Sequence, residues 1–329
     1  MKRTCFIGID ISKKTLDICL YIPGSTTPKK FFKIENSLKG FKSFIKELKI
    51  LNANLKETFV CLEYCGVYGL ELGFFLEGKI EYCFCNPLHI KRSLGLTRGK
   101  SDKLDSFKIA RFNYLFRDEL DPMSMPSECM LRLKSLMAER SRITKSIVID
   151  KQVLTDLQKT LGINARLRAE RRLEMLQADR KAIDKEILNL IESEDCILIN
   201  YKLLISIIGI SLVNATMMIL CTNNFEGITN PRSFACYCGV APFEHTSGTS
   251  IKGRTRVSPY ANKKVKANLT NAAKSAVQHD PEIKIYYKRK RAEGKDHGTV
   301  MNAVKFKIIT RAFAVVKRGT PYVKLRQAG

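Results

Sequence analysis

The sequence predicts an α/β domain at residues 1–125, an α-helical coiled-coil arm at 126–197 and a mainly α-helical C-terminal domain at 198–329. Short apolar runs alternate with segments of helical periodicity in the first part. A glycine-poor stretch with heptad spacing follows, and the last part contains helices with basic faces. A chain of 329 residues is long enough to build a separate hydrophobic core in two or three domains.

The first 35 residues contain three candidate strands, Thr4–Ile9, Leu16–Ile22 and Phe31–Ile34. The first of these runs is apolar and bounded by polar residues, which is typical of a central strand. Asp10 follows at the point where this strand leaves the core. A carboxylate there can hold a hard cation for phosphate chemistry, or it can simply cap a turn.

The next elements alternate between helix and strand. The predicted order is a helix capped at Asn36-Ser37 that runs to about Lys49, a strand at Thr58–Leu62, a helix from Gly66 to Glu77 and a strand at Ile80–Phe84. Three antiparallel strands followed by this alternation are the order of the RNase-H-like fold, in which the first and fourth strands are neighbours. Glu63 ends the fourth strand, so Asp10 and Glu63 are expected to face each other across one strand spacing, about 5 Å.

A further helix is predicted to begin at Ser101 or Asp102. Asp102 and Asp105 are three residues apart, so both project from one face of its first turn. Acids are favourable at a helix N-terminus, but two acids on one face also repel each other unless a cation or a lysine lies between them. With Asp10 and Glu63, four carboxylates can converge on one site. That number suits two magnesium ions about 3.5–4 Å apart that flank a scissile phosphate.

Residues 127–195 contain a single glycine, Gly162. Apolar residues on either side of it follow heptad frames, first Leu133, Leu136, Ile143, Ile147, Leu154, Leu157 and Leu161, and then Leu173, Leu176, Ile183, Ile187 and Leu190. Arg140, Asp150 and Arg180 interrupt these frames. The pattern predicts two long helices that fold back as a hairpin or pair between subunits; the alternative is an ordinary helical layer against the first domain.

The charge of the chain is strongly positive and unevenly distributed. Lys and Arg number 57 against 32 Asp and Glu, a net charge of +25, and residues 251–329 alone hold 20 Lys and Arg against 4 acids. Such a concentration favours a polyanionic partner, most often nucleic acid. The candidate nucleic-acid-binding residues are Lys252, Arg254, Arg256, Lys263, Lys264 and Lys266.

Eleven cysteines are scattered among core-like segments without the C-x2-C spacing of zinc sites. They are interpreted as small buried residues of a protein in a reducing compartment. No stretch approaches the ~18 unbroken apolar residues of a membrane span. The expected location is therefore cytoplasmic, with no membrane partner.

The C-terminal part contains two segments that could contact nucleic acid. Leu203–Leu220 is similar to a helix-hairpin-helix in which Gly209 makes the turn. After Gly239 a polar loop is predicted, and Ser247 in that loop could attack a phosphodiester while nearby Arg and Lys stabilise the transition state. From the residues alone, a serine in such a loop is more often an ordinary turn residue. His245 could be a general base, but a lone histidine in a loop is usually just solvated.

The whole chain resembles transposases of the insertion-sequence-110 family. The resemblance runs nearly end to end and depends on the order and spacing of four motifs: Ile7-Gly8-Ile9-Asp10, Leu62-Glu63, Ser101-Asp102-Lys103-Leu104-Asp105, and Gly239-Val240-Ala241-Pro242 with Ser247-Gly248-Thr249-Ser250 and Gly253. It implies an RNase-H/RuvC-like DEDD domain, a coiled-coil arm and a C-terminal transposase domain.

The resemblance also implies a chemistry. The DEDD acids would be Asp10, Glu63, Asp102 and Asp105, binding Mg²⁺, or Mn²⁺ in its place, and Ser247 would form a covalent phosphoserine link to DNA. Partners would be donor and target DNA and a structured non-coding guide RNA, the bridge RNA. A homodimer or homotetramer would assemble through the arm and combine the acids of one subunit with the serine of another. A nucleoid-associated protein of a prokaryotic cytoplasm is expected.

The sequence is also compatible with other functions. A RuvC-like, metal-dependent junction nuclease would cut with activated water, and Ser247 would then be structural. Gly8-Ile9-Asp10-Ile11-Ser12 also resembles the phosphate loop of an actin-like ATPase, but no later Gly-rich adenosine loop follows. A non-enzymatic RNA-binding protein would account for the basic residues and not for the four acids.

Overall fold

The structure, a computed structural model, describes residues 3–24, 29–95, 101–156, 162–247 and 251–323. The chain divides into two compact units, Met1–Met125 and Pro126–Gly329. The first unit combines a β-sheet with α-helices, and the second is mostly helical. This confirms the predicted α/β class of the N-terminal part and the mainly α-helical class of the C-terminal part. The division into three domains stays a prediction.

The first unit contains the elements that carry the four predicted acids. Its strands are β1 (Cys5–Ile11), β2 (Thr15–Tyr21), β3 (Lys29–Glu35), β4 (Thr58–Glu63) and β5 (Glu81–Cys85), and its α-helices are α1 (Leu38–Ile50), α2 (Leu70–Leu76), α3 (Pro87–Ser93) and α4 (Asp102–Leu115). The helix predicted from Gly66 begins later, because Gly66 adopts a φ of +78° and Gly66–Gly69 forms a 3-10 turn before α2. Ser37 and Ser101 cap α1 and α4, as predicted.

The five strands form one sheet in the order β3-β2-β1-β4-β5. β1 pairs antiparallel with β2 and parallel with β4, so the first and fourth strands are neighbours, as predicted. One face of the sheet packs against α1 through residues such as Ile7 and Phe44. The opposite face is covered by α4, whose Ile109 and Phe112 pack on Phe59.

The backbone of α4 packs closely against β1 at Gly8. A Cβ atom on Gly8 would lie 2.1 Å from the amide nitrogen of Ala110 and 2.4 Å from the carbonyl oxygen of Ser106, so only glycine fits there. Deeper in the contact, the buried Asn113 Nδ2 donates hydrogen bonds to the carbonyl oxygens of Ile7 (3.0 Å) and Phe59 (2.8 Å). These contacts fix the register of α4 on β1 and β4.

Gly8→Ala is therefore expected to lower the free energy of unfolding by about 2–3 kcal/mol, the upper part of the usual range for overpacking. The colliding atoms belong to the backbone of α4 and cannot rotate away. Urea unfolding of the full chain measures the effect. Gly162→Ala is the matched control, because Gly162 has a φ of −60° and no atom within 4 Å of the added Cβ. Equal midpoints for the two variants would contradict this close packing.

The second unit contains eight α-helices and two strands among its described residues. They are α5 (Glu128–Asp156), α6 (Ile163–Glu192), α7 (Asp195–Ile205), α8 (Leu212–Thr222), α9 (Pro231–Tyr237), β6 (Pro242–Ser247), β7 (Ile251–Val257), α10 (Lys263–His279), α11 (Pro281–Ala292) and α12 (His297–Arg318). Its core includes Ile219, Phe234, Leu269 and Ile308. Among the described residues, no helix is both long and apolar enough to span a membrane.

α5 and α6 lie side by side as an antiparallel pair. Arg140 pairs with Asp184 at 2.5 Å and Arg172 pairs with Asp150 at 2.7 Å. The later residue of α5 thus contacts the earlier residue of α6, so the two helices run in opposite directions. Arg140 and Asp150, which interrupt the heptad pattern, thus make charged contacts between the two helices. The heptad residues include the buried Leu133, Leu136, Ile147, Ile183 and Ile187. Leu157 and Leu161 lie outside the described residues, and the coiled-coil character of this pair stays a prediction.

The segment after Gly239 corrects one expectation. It was predicted as a polar loop, but β6 and β7 form an antiparallel hairpin. The strands carry no apolar alternation that would mark a buried face; Phe243, for example, is 46 % exposed. Residues 248–250 between them lie outside the described part of the chain.

Candidate active site

Asp10 and Glu63 lie beside each other at the ends of two central strands. In the parallel pairing of β1 with β4, Ile9 stands opposite Leu62, and the next residues along the two strands are Asp10 and Glu63. Both side chains are half-buried. On the other side of β1, Asp17 of β2 pairs directly with Asp10 and adds a carboxylate that is not among the four predicted DEDD acids.

Asp102 and Asp105 lie in the first turn of α4. Asp102 is 68 % exposed and its carboxylate lies 3.8 Å from Lys33 Nζ, which also contacts Asp17 at 2.9 Å. Asp105 is 25 % exposed and accepts a hydrogen bond of 2.8 Å from Lys108. Lys33 therefore places positive charge between acids of β2 and α4, whereas Lys108 pairs with Asp105 within α4.

The acids influence one another electrostatically. Burial raises the pKa of Asp10, and the negative charge of Asp105 raises it further, followed by those of Asp102 and Asp17. Burial also raises the pKa of Glu63, and here Asp10 and Asp105 add to the effect. The structure thus brings all four predicted acids into one electrostatic cluster on the first unit.

Asp10→Asn is expected to stabilise the fold in the presence of a chelator. The raised pKa means that the folded state binds a proton more tightly than the unfolded state. The favourable contribution of protonated Asp10 to the free energy of unfolding is complete below about pH 4, the pKa of a free aspartate. It is lost as the pH rises through the raised pKa of the folded state. Wild type should therefore lose stability relative to Asp10→Asn over this window. Urea unfolding at a series of pH values measures the difference, and parallel curves would contradict the raised pKa.

The four carboxylates fit a divalent cation by charge and by ligand type. They offer only oxygen ligands, which hard cations such as Mg²⁺ prefer. The repulsion that raises the pKa of Asp10 and Glu63 is relieved when a cation binds between them. Within the described residues, no three carboxylates bring their oxygens within 4.8 Å of one another. Lys108 and Lys33 hold Asp105 and Asp102 in ion pairs that such a cation would replace.

Ser247 lies on the second unit, at the last position of β6, where it pairs with Ile251 of β7. The side chains of Ser247, His245, Lys252 and Arg254 lie outside what the structure describes. Of the other candidate basic residues, Arg256 is exposed on β7, Lys263 and Lys264 are exposed in the first turn of α10, and Lys266 in that turn is half-buried.

Comparisons with known proteins match both units. Residues 7–161 match the DEDD transposase family of IS110, described as "Transposase". Residues 201–288 match the family described as "Transposase IS116/IS110/IS902 family". The two matched segments include the four acids and Ser247.

Relatives extend the similarity over the full chain. The pilin gene-inverting proteins of Moraxella bovis and Moraxella lacunata are each 24 % identical over 330 residues, covering 98 % of this chain and 99 % of the relative. The transposase for insertion sequence element IS1533 of Leptospira borgpetersenii is 26 % identical over 265 residues, or 70 % of this chain and 73 % of that protein. From the two family matches and these relatives, the chain belongs to the IS110 family of transposases.

Proposed function

We propose that this transposase exchanges DNA strands under the guidance of an RNA, with Ser247 as the nucleophile and Mg²⁺ bound by Asp10, Glu63, Asp102 and Asp105. The cluster of mutually repelling acids at the ends of β1 and β4 is the observation that carries the proposal. A DEDD family suggests a divalent metal. Relatives named as a gene-inverting protein and a transposase support DNA as the substrate.

The acids would hold the cation and orient it toward the phosphate. When bound, Mg²⁺ supplies positive charge that stabilises the developing charge on phosphate oxygens. Asp10 and Glu63 start from the rigid sheet, and Asp102 and Asp105 from a helix whose register is fixed by Gly8 and Asn113. Ligands on such elements keep their geometry better than ligands on loops.

Ser247 would carry the covalent step. Its Oγ bonds to phosphorus and gives up its proton to a base, for which His245, two residues away on β6, is the candidate. The bond from phosphorus to one deoxyribose oxygen breaks, and that oxygen takes a proton to become a hydroxyl. Attack by a hydroxyl of the second DNA then releases the serine. The number of phosphodiester bonds is conserved, so the exchange needs no ATP.

The basic residues would bind the nucleic-acid partners. Lys263 and Lys264 stand in the first turn of α10, where the helix dipole is positive and cations are unfavourable on their own. A phosphate at this helix N-terminus would offset that cost. Arg256 and the other basic residues near the hairpin would extend the same surface, which fits the excess of positive charge in residues 251–329.

Guidance by RNA is tested by purifying the protein from cells and sequencing the RNA that copurifies. A discrete species copied from DNA that flanks the gene is expected. A broad sample of cellular RNA, with no enrichment of flanking sequence, would contradict guidance. That result would not bear on Ser247 as the nucleophile, which is tested by a separate experiment.

Assembly would use the α5–α6 pair as a coiled-coil arm between two copies of the chain. Val148, Ile149 and Met175 of this pair are 57–61 % exposed although they are large and apolar. Ile149→Glu together with Met175→Glu is expected to shift the protein from dimer or tetramer to monomer in light scattering after size exclusion. Lys284→Glu, at an exposed position of α11, is the control for an added acidic residue elsewhere on the unit. If the double variant keeps the assembly of wild type, the arm is not the interface.

A further inference from the structure

Three cysteines of the first unit meet in its core. Cys61 of β4 stands opposite Cys83 of β5, and Cys85 follows two residues later on the same face. They are 0 %, 3 % and 6 % exposed, respectively. The sulfur atoms of Cys61 and Cys85 are 3.0 Å apart, those of Cys83 and Cys85 are 3.5 Å apart, and all three lie within 4.8 Å of one another.

We propose that Cys61, Cys83 and Cys85 bind one zinc ion as thiolates. Zinc bonds to thiolate sulfur at about 2.3 Å, so sulfur atoms that share a tetrahedral zinc lie about 3.8 Å apart. The distances from Cys85 to the other two sulfur atoms, 3.0 and 3.5 Å, are somewhat shorter than that value, and rotations of the side chains would lengthen them to it. A water molecule can fill the fourth position of the tetrahedron.

The surroundings of the cluster favour retention of a soft cation. Phe59, Ile90, Ile109 and Phe112 pack around the three sulfur atoms and limit access of water. Among the described residues, no other three cysteine, histidine or acidic side chains bring their ligand atoms close enough to share an ion. Sulfur ligands select zinc over magnesium, so this site is chemically distinct from the carboxylates.

The position of the cluster gives the ion a structural role. β5 is an edge strand of the sheet, and the three cysteines join it to β4. Glu63 pairs with Cys85 across these two strands. A zinc ion would therefore cross-link the edge of the sheet directly beneath the strand end that carries Glu63.

The test uses the purified full chain, with Co²⁺ as the spectroscopic probe. About one equivalent of zinc is expected by mass spectrometry, and Co²⁺ added to the metal-depleted protein should give sulfur-to-cobalt charge-transfer absorption. The double variant Cys61→Ala with Cys83→Ala should lose both signals, whereas Cys19→Ala, at a buried cysteine of β2, should keep them. Glu63→Gln should also keep them, because the carboxylates take no part.

If the double variant fails to fold, measurements on wild type alone still test whether the three cysteines bind zinc. Zinc added to metal-depleted wild type should displace the cobalt absorption and raise the melting temperature. Wild type that carries no zinc, gives no charge-transfer absorption and melts at the same temperature with and without zinc would overturn the proposal. The three thiols would then be core side chains that hydrogen-bond to one another.

Discussion

Ser247→Ala is expected to abolish the covalent protein–DNA adduct and to lower strand exchange by at least about three orders of magnitude. Alanine removes the only atom of this side chain that can bond to phosphorus. A nicked DNA substrate that traps the intermediate, followed by a denaturing gel, measures the adduct. Strand exchange is measured on the same preparations with paired donor and target DNA.

Other serines of the same region provide the controls. Ser250→Ala tests a serine three residues further along the sequence, and Ser258→Ala tests a serine whose Oγ accepts a hydrogen bond from the Tyr260 amide after β7. Both should keep the adduct. Undiminished adduct in Ser247→Ala would reject the nucleophile, and free phosphate ends without attached protein would instead favour a nuclease that uses water.

Glu63→Gln is expected to lower strand exchange by about 10²–10³-fold, because it removes one negative charge from the acid cluster without changing its shape. The requirement for Mg²⁺ should shift to higher concentration, since one charged ligand is lost. Titration of strand exchange with Mg²⁺ measures both effects. Glu81→Gln is the matched control, because Glu81 lies at the opposite end of β5 from the strand end beside Glu63 and pairs with Arg3. Unchanged exchange at every Mg²⁺ concentration would show that Glu63 is not a ligand.

The sheet and the capped helices could be predicted from local patterns. The apolar run of β1 and the cap residues Ser37 and Ser101 are signals carried by a few neighbouring residues. The proximity of Asp10 to Glu63 needed one more step, the strand order of a known fold, and the observed pairing agrees with it. The roles of these acids are still predictions, because they depend on a cation and a substrate.

Other features depend on contacts between distant segments and left no local signal. The exception is Asp17, which meets Asp10 within the first hairpin: the signal was local, but it depends on the exact antiparallel register of β1 and β2. The three-cysteine cluster joins two strands in the core, so the C-x2-C spacing of a single loop did not apply. Arg140 and Asp150 were interpreted as interruptions of an apolar seam because their partners, Asp184 and Arg172, lie on the next helix.

The close contact between Gly8 and the backbone of α4 also limits how the acids can move. The backbone of α4 fits against β1 where Gly8 has no Cβ, so a shift of the helix along the strand would bring that backbone against residues that carry one. Translation of α4 as a whole is therefore an unfavourable way to move Asp102 and Asp105 toward Asp10. Any adjustment during a reaction cycle must come from side-chain rotation, or from unwinding at the start of the helix near Ser101. The arrangement of the four acids is therefore set mainly when the first unit folds and only to a small extent by whatever binds there.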